Sequence, residues 1–198
     1  WSKYGLPPAE ETLAELLAPA GYARRGIFGK WNLGHARREF HPLQQGFTHF
    51  VGHYNGAIDY FTHVRDGERD WHHGDRSVRE EGYATDLIAD HAARFIRESP
   101  AGRPWLAYVP FNAPHSPFQA KEADLKKYPQ LKLADRRAYA AMVDALDQAI
   151  GRVLAAVEAR PDAANTFILF CSDNGGIPRV GSSNAPWRGA KLTVYEGG

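Results

Sequence analysis

Asp173 and Asn174 stand side by side directly after an apolar run, and they offer a carboxylate and an amide carbonyl. Both are hard oxygen donors of the kind that Ca²⁺ or Mg²⁺ accepts. Gly175 and Gly176 follow and let the backbone turn sharply. Taken alone, Asp-Asn-Gly is better explained as ordinary turn chemistry. His115 is enclosed between prolines in Pro114-His115-Ser116-Pro117, again after an apolar run. A histidine presented that way can act as a general acid or donate a hydrogen bond to an anion, and a surface loop histidine explains it as well. Lys30 in Gly29-Lys30-Trp31-Asn32 could meet an anionic group as a compact point charge, or be a solvated lysine beside a core tryptophan. Arg188 and Lys191 add two cations near the C-terminus, where a surface turn is the alternative. Together these residues place a metal-type acid pair, a histidine and several cations in loops next to apolar runs. That set suits an anionic ester, because a metal and cations stabilise charge on a transferred group.

The elements that must hold these groups read as alternating helices and short strands. Thr12–Leu17 is expected to form a short amphipathic helix stopped near Gly21. A strand is expected over residues 22–29. From Lys30 to Gly82 the chain is rich in Gly, His, Asp and aromatics with little periodicity, and reads as a long functional loop. The aromatics of 47–63 read more readily as core than as a sugar-facing pocket. Tyr83–Glu98 has helical spacing, with Leu87, Ile88, His91, Phe95 and Ile96 on one face. Trp105–Phe111 is a buried-strand candidate. Asp135–Arg160 is a longer helix with Met142, Leu146, Ile150, Val153 and Val157 in one stripe and Asp135 as its expected N-cap. Thr166–Cys171 (TFILFC) reads as a continuous apolar strand. Short apolar strands alternating with helices predict an α/β fold, a mostly parallel central sheet with helices on both faces. In such sheets ligands bind beyond the carboxyl ends of the strands, where all three polar segments fall.

The 198 residues suffice for one domain with its own core, and the 43% hydrophobic and 24% charged composition is that of an ordinary globular protein. A net charge of +1 without a basic block gives no ground for nucleic acid as a partner. No apolar run approaches the roughly 18 residues of a membrane span. The single cysteine, Cys171, forbids an internal disulfide and is expected in the core. The start at Trp1 and the end at Gly197-Gly198 are expected to be cuts through a longer protein.

Five segments in order carry a resemblance to the sulfatase family, especially arylsulfatases and N-acetylgalactosamine sulfatases. GYARRGIFGKWNLGH resembles G-Y-x-T-x-x-x-G-K-W-H-L-G. HPLQQGFTHFVG with GAIDYFTH resembles the segment after it. APHSPFQA resembles the H-x-P-x-Q loop, FILFCSDNGG the F-[ST]-D-N-G-G strand end, and APWRGAKLTVYEGG the P-L-R-G-x-K-x-x-x-[WY]-E-G-G segment. The resemblance implies that Asp173 and Asn174 are two ligands of a divalent cation, usually Ca²⁺ and alternatively Mg²⁺. It implies that Lys30 and Lys191 bind sulfate oxygens, and that His115 lies near the sulfate and the leaving oxygen. Asn32 stands where many members have histidine, and asparagine cannot transfer a proton near pH 7.

The resemblance also implies a nucleophile, formylglycine made from C/S-x-P-x-R, preceded by an Asp-Asp pair. Neither motif is present in the 198 residues, and both are expected upstream of Trp1. The chain therefore reads as the central part of a sulfatase catalytic domain, without the N-terminal nucleophile segment and the C-terminal part. The parent is expected to hydrolyse aryl or carbohydrate sulfate esters, and this chain alone is expected to be silent. Two alternatives stay open: a phosphonate or phosphate ester hydrolase of the same fold, and a non-catalytic paralogue that binds sulfated glycans. Family members are usually exported to the periplasm, lysosome or exterior.

Overall fold

The RRGIFGK run becomes a strand because its side chains find cover on both sides. A computed structural model describes residues 3–198. Its first strand is β1 (Arg24–Lys30). Ile27 points into one cluster, with Ala14, Trp31, Phe47, Phe50 and Tyr54. Its neighbour Phe28 points into the other, with Ile88, Ala92, Phe95 and Met142. This period-two alternation is the mark of a strand buried on both faces.

Strand β2 (His49–His53) follows, then the small hairpin β3 (Val64–Arg65) and β4 (Glu68–Arg69), then β5 (His72–His73), β6 (Arg76–Ser77) and β7 (Trp105–Tyr108). The main sheet has the order β6-β5-β2-β1-β7. β1 runs parallel to β2, with Lys30 opposite His53, and parallel to β7, with Ile27 opposite Tyr108. β5 and β6 join antiparallel at the β2 edge. The expected α/β class holds, as a mixed sheet with a parallel centre.

Among the described residues, four α-helices accompany the sheet: α1 (Leu13–Leu17), α2 (Ala84–Glu98), α3 (Glu122–Leu125) and α4 (Ala134–Glu158). α1 opens with a capping box, in which Thr12 Oγ1 accepts from the Glu15 amide and the Glu15 carboxylate accepts from the Thr12 amide. α2 lies on the sheet and α4 lies on α2. Both helices bury small residues: Ala84, Ala89, Ala92 and Ala93 of α2, and Ala141, Ala145 and Ala149 of α4. Side chains this small allow a helix to pack close to its neighbour. The opposite face is covered by α1 and by the irregular segment with 3₁₀ turns at Arg38–Phe40 and Pro42–Gln44, not by long helices.

The end of α4 is tied down by Arg160. Its guanidinium donates to the Ile96 and Ser99 carbonyls at 2.6 and 2.8 Å, and to both Asp162 carboxylate oxygens at 2.8 and 2.9 Å. It thereby satisfies the Ser99 carbonyl at the end of α2 and adds a second donor to the Ile96 carbonyl, which already accepts from the Ser99 amide. It also lies 5.4 Å from the Trp105 ring centroid of β7.

Four expectations are corrected. Thr166–Cys171 is not a strand. Among the described residues the amides of 167–174 make no backbone–backbone hydrogen bond, and Phe167 and Phe170 are 87% and 77% exposed. An apolar run becomes a strand only where a neighbour exchanges backbone hydrogen bonds with it, and this run pairs with no strand, although β7 ends the sheet with its outer edge open. Cys171 is accordingly exposed, not core. Asp135 is not the N-cap of α4, which begins one residue earlier, with Leu133 capping and no side-chain bond; Asp135 instead sits in the first turn, where the helix dipole favours an acid. The 30–82 segment, expected to be a loop, contributes the central strand β2, whose pattern was hidden because Gly52 and the buried His53 count as polar.

Candidate active site

Lys30 owes its position to two close backbone approaches. A Cβ at Gly29 would lie 2.2 Å from the Pro110 carbonyl oxygen, and one at Gly52 would lie 2.0 Å from the Gly29 carbonyl oxygen. With φ of +128° and +155°, these residues adopt backbone that only glycine holds easily. The end of β1 is therefore pressed between β2 and the chain after β7, and the Lys30 amide donates to Pro110 at 2.8 Å. The side chain that emerges is largely buried, and its Nζ meets Asp173 Oδ2 at 2.7 Å across 143 positions of sequence.

Burial pushes the Asp173 carboxyl up, but the hydrogen bond and charge of Lys30, with the further charge of Lys191, hold it below its ordinary value. Asp173 is thus ionised near neutrality. The Lys191 amide donates to the Gly176 carbonyl at 3.2 Å, which docks the C-terminal segment on the turn after Asp173. Asn184 completes that dock: its Oδ1 accepts from the Gly176 amide at 2.9 Å, and its Nδ2 reaches the Gly176 and Gly189 carbonyls. Asn174 lies half-buried beside Asp173, its Nδ2 donating to the Gly175 carbonyl at 3.1 Å. Arg188 turns away, lying 3.7 Å from the Tyr195 ring centroid.

His115 is held by its own loop. Its Nδ1 bonds the Ser116 carbonyl oxygen at 2.8 Å, and its own carbonyl accepts from the Tyr60 hydroxyl at 2.8 Å. Gln119 locks this loop to the 59–60 segment, accepting from the Tyr60 amide and donating to Asp59 Oδ2 at 2.6 Å. Asn32 has a φ of +53°, the left-handed region that asparagine tolerates better than most residues, and its amide donates to the Tyr54 carbonyl. The structure thus joins Lys30, Asp173 and the segment of Lys191 directly, and places His115 and Asn32 on separate loops.

Two features escaped sequence reading. His53, opposite Lys30 in register, is wholly buried, its Nδ1 bonded to the Asn55 carbonyl oxygen and its Nε2 without a partner. Burial lowers it to about 4, against the pull of Asp70, so it is neutral at pH 7. Asp70, also buried, accepts from the Tyr54 and Asn55 amides, each at 2.8 Å, and from His72 Nε2 at 3.1 Å, fixing the chain that leaves β2. No spacing rule marks either residue; only the Asp-x-His pair at 70–72 hints at an acid orienting a histidine.

A family model described as Sulfatase matches residues 3–198. Arylsulfatase J of Mus musculus is 34% identical over 201 residues, covering 98% of this chain and 33% of that protein. N-acetylgalactosamine-6-sulfatase of Homo sapiens is 34% identical over 210 residues, covering 98% of this chain and 39% of that protein. The chain therefore spans between a third and two-fifths of the length of these curated relatives. Among solved structures, Ps i-CgsB in complex with k-i-k-neocarrahexaose superposes with a TM-score of 0.90 at 31% identity, covering 100% of this chain and 47% of that one.

Proposed function

The chain belongs to the sulfatase family, and from that premise we propose that it is part of a hydrolase cleaving R–O–SO₃⁻ to alcohol and sulfate, with a sulfated carbohydrate as the favoured substrate. The carbohydrate preference is supported by the relative named for N-acetylgalactosamine 6-sulfate and by the oligosaccharide bound to the similar solved structure. The observation that carries the reading is the 2.7 Å pair of Lys30 and Asp173, with the Lys191 segment docked on the turn that follows. Cations and an ionised acid converge there beyond the end of a parallel strand.

In this reading Lys30 and Lys191 hold two sulfonate oxygens and draw off charge as the S–O bond breaks. His115 gives a proton to the leaving oxygen, which therefore departs as an alcohol. Asn32 donates a hydrogen bond but moves no proton. Asp173 and Asn174 are hard oxygen donors, and with Oδ2 of Asp173 on Lys30 they fit part of a Ca²⁺ or Mg²⁺ shell, which needs six or more oxygens. When bound, such an ion would polarise the sulfonate oxygens. The attacking group would be a formylglycine from a C/S-x-P-x-R motif, which these 198 residues do not contain, so turnover is expected only from a chain that supplies it.

The test is a rate comparison on an intact-length protein containing this chain, using matched aryl sulfate, sulfated sugar and phosphate monoester substrates. Sulfate ester hydrolysis that falls about 100-fold or more in Lys30→Ala supports the proposal. Faster phosphate ester hydrolysis overturns the substrate class. Saturable sulfated-glycan binding without hydrolysis overturns the enzyme reading in favour of a binding protein.

A further inference from the structure

A second cluster of ligating side chains lies apart from Lys30 and Asp173. His73 comes from β5, Glu80 from the loop after β6, and His91 from the middle of α2. His73 Nε2 lies 3.0 Å from Glu80 Oε2, and His91 Nε2 lies 2.8 and 3.0 Å from the two Glu80 oxygens. The two imidazoles meet edge to face with centroids 4.9 Å apart. The three ligand atoms all fall within 4.8 Å of one another. We propose that His73, Glu80 and His91 form a binding site for a borderline divalent transition-metal ion, with Zn²⁺ the best match.

Donor chemistry and geometry both carry this. Two imidazoles and one carboxylate form a mixed N/O set that suits Zn²⁺ and is too poor in oxygen for Ca²⁺. Tetrahedral zinc at about 2.0–2.1 Å from each ligand separates the ligand atoms by roughly 3.3 Å, so admitting the ion lengthens the two Glu80–imidazole separations by only a few tenths of an ångström. The carboxylate is already oriented from behind: the buried Trp71 donates its indole N–H to Glu80 Oε2 at 2.7 Å. Outer hydrogen bonds of this kind fix a metal ligand in place. Oε2 thereby faces three nitrogens at once, those of Trp71, His73 and His91. Replacing the two imidazole N–H groups by a cation relieves that crowding.

Protonation agrees. Burial lowers His91 despite the neighbouring carboxylate, so the ring is neutral and free to ligate. Glu80, pushed up by burial, is held below its usual value by Trp71, His73 and His91, and is ionised. His73 is 40% exposed along its side chain and gives the ion a way in. One rearrangement is required. Arg94 now donates to His91 Nδ1, and a metal on Nε2 puts the ring proton on Nδ1, so the exposed Arg94 must swing into solvent.

The site is independent of the proposed reaction, so its test reads binding alone. The chelator-treated full chain would be titrated with Co²⁺, followed by its ligand-field absorption, and with Zn²⁺, followed by calorimetry. One equivalent with a tetrahedral Co²⁺ spectrum that Zn²⁺ displaces is the expected result. His73→Gln, a half-exposed position whose loss should not unfold the chain, should weaken Zn²⁺ at least tenfold, as should Glu80→Gln. Asp173→Asn should leave the affinity unchanged. No saturable binding, equal affinity in His73→Gln with circular dichroism unchanged, or loss of binding in Asp173→Asn would each overturn the proposal.

Discussion

Two apolar runs lead into the candidate active site and end differently. RRGIFGK is β1, paired on both sides and buried on both faces, and it delivers Lys30 from a largely covered position. TFILFC delivers Asp173 from an extended segment without backbone partners, with most of its apolar side chains in solvent. The Lys30–Asp173 ion pair therefore joins a half held by strand pairing to a half that makes no backbone pairing. The difference teaches that hydrophobicity licenses a strand only where a neighbour offers hydrogen bonds. Composition does not separate the two runs, but pairing does.

The sharpest way to break that contrast is hydrogen exchange. The amides of Ile27 to Lys30 should exchange only on global opening, whereas those of 167–170 should exchange nearly as fast as free peptide. A difference of about 1,000-fold or more is expected. Equal protection would show that 166–171 acquires strand partners in solution.

A smaller effect, still on the ordered side, comes from His53. Its folded pKa of about 4 lies below the 6.5 of the unfolded chain, so between those values the unfolded state binds the extra proton. Its contribution is complete above pH 6.5 and is lost as pH falls toward 4. It amounts to up to about 3 kcal/mol, taking 1.36 kcal/mol per pKa unit. His53→Gln should flatten the pH dependence of the urea midpoint across that window. An unchanged slope would assign the window to other buried histidines such as His63 and His91, whose pKa values burial also lowers.

Much of this was legible in the sequence. The helices α2 and α4, the strands around Arg24–Lys30 and Trp105–Tyr108, and the convergence of Lys30 with Asp173 follow from periodicity and from the five ordered motifs. β2 was not legible, because a buried His53 and a Gly52 that fits only by close approach break the alternation that marks a strand. The 166–171 segment was misread for the opposite reason: its pattern is a strand's, but pairing is a property of neighbours. His73, Glu80 and His91 stayed invisible because they lie on a strand, a loop and a helix, so no single period relates them; a β-hairpin and a helix bring them together.

The mildest expected effect is on the tail side. Asp173 is 64% exposed along its side chain while Lys30 is 15% exposed, so their attraction is screened by water at one end. Removing the carboxylate as Asp173→Ala leaves the lysine room to rehydrate, and no hydrogen-bond ladder in 167–174 depends on it. The expected loss of folding stability is below about 1 kcal/mol, read from the urea midpoint at neutral pH. In an intact-length protein the same substitution should nevertheless abolish most sulfate ester turnover if the carboxylate serves the reacting group, as proposed. A loss of stability above about 2 kcal/mol would mean that the segment after α4 is anchored through this pair. β1 and TFILFC would then share one ordered unit, and the contrast between them would fail.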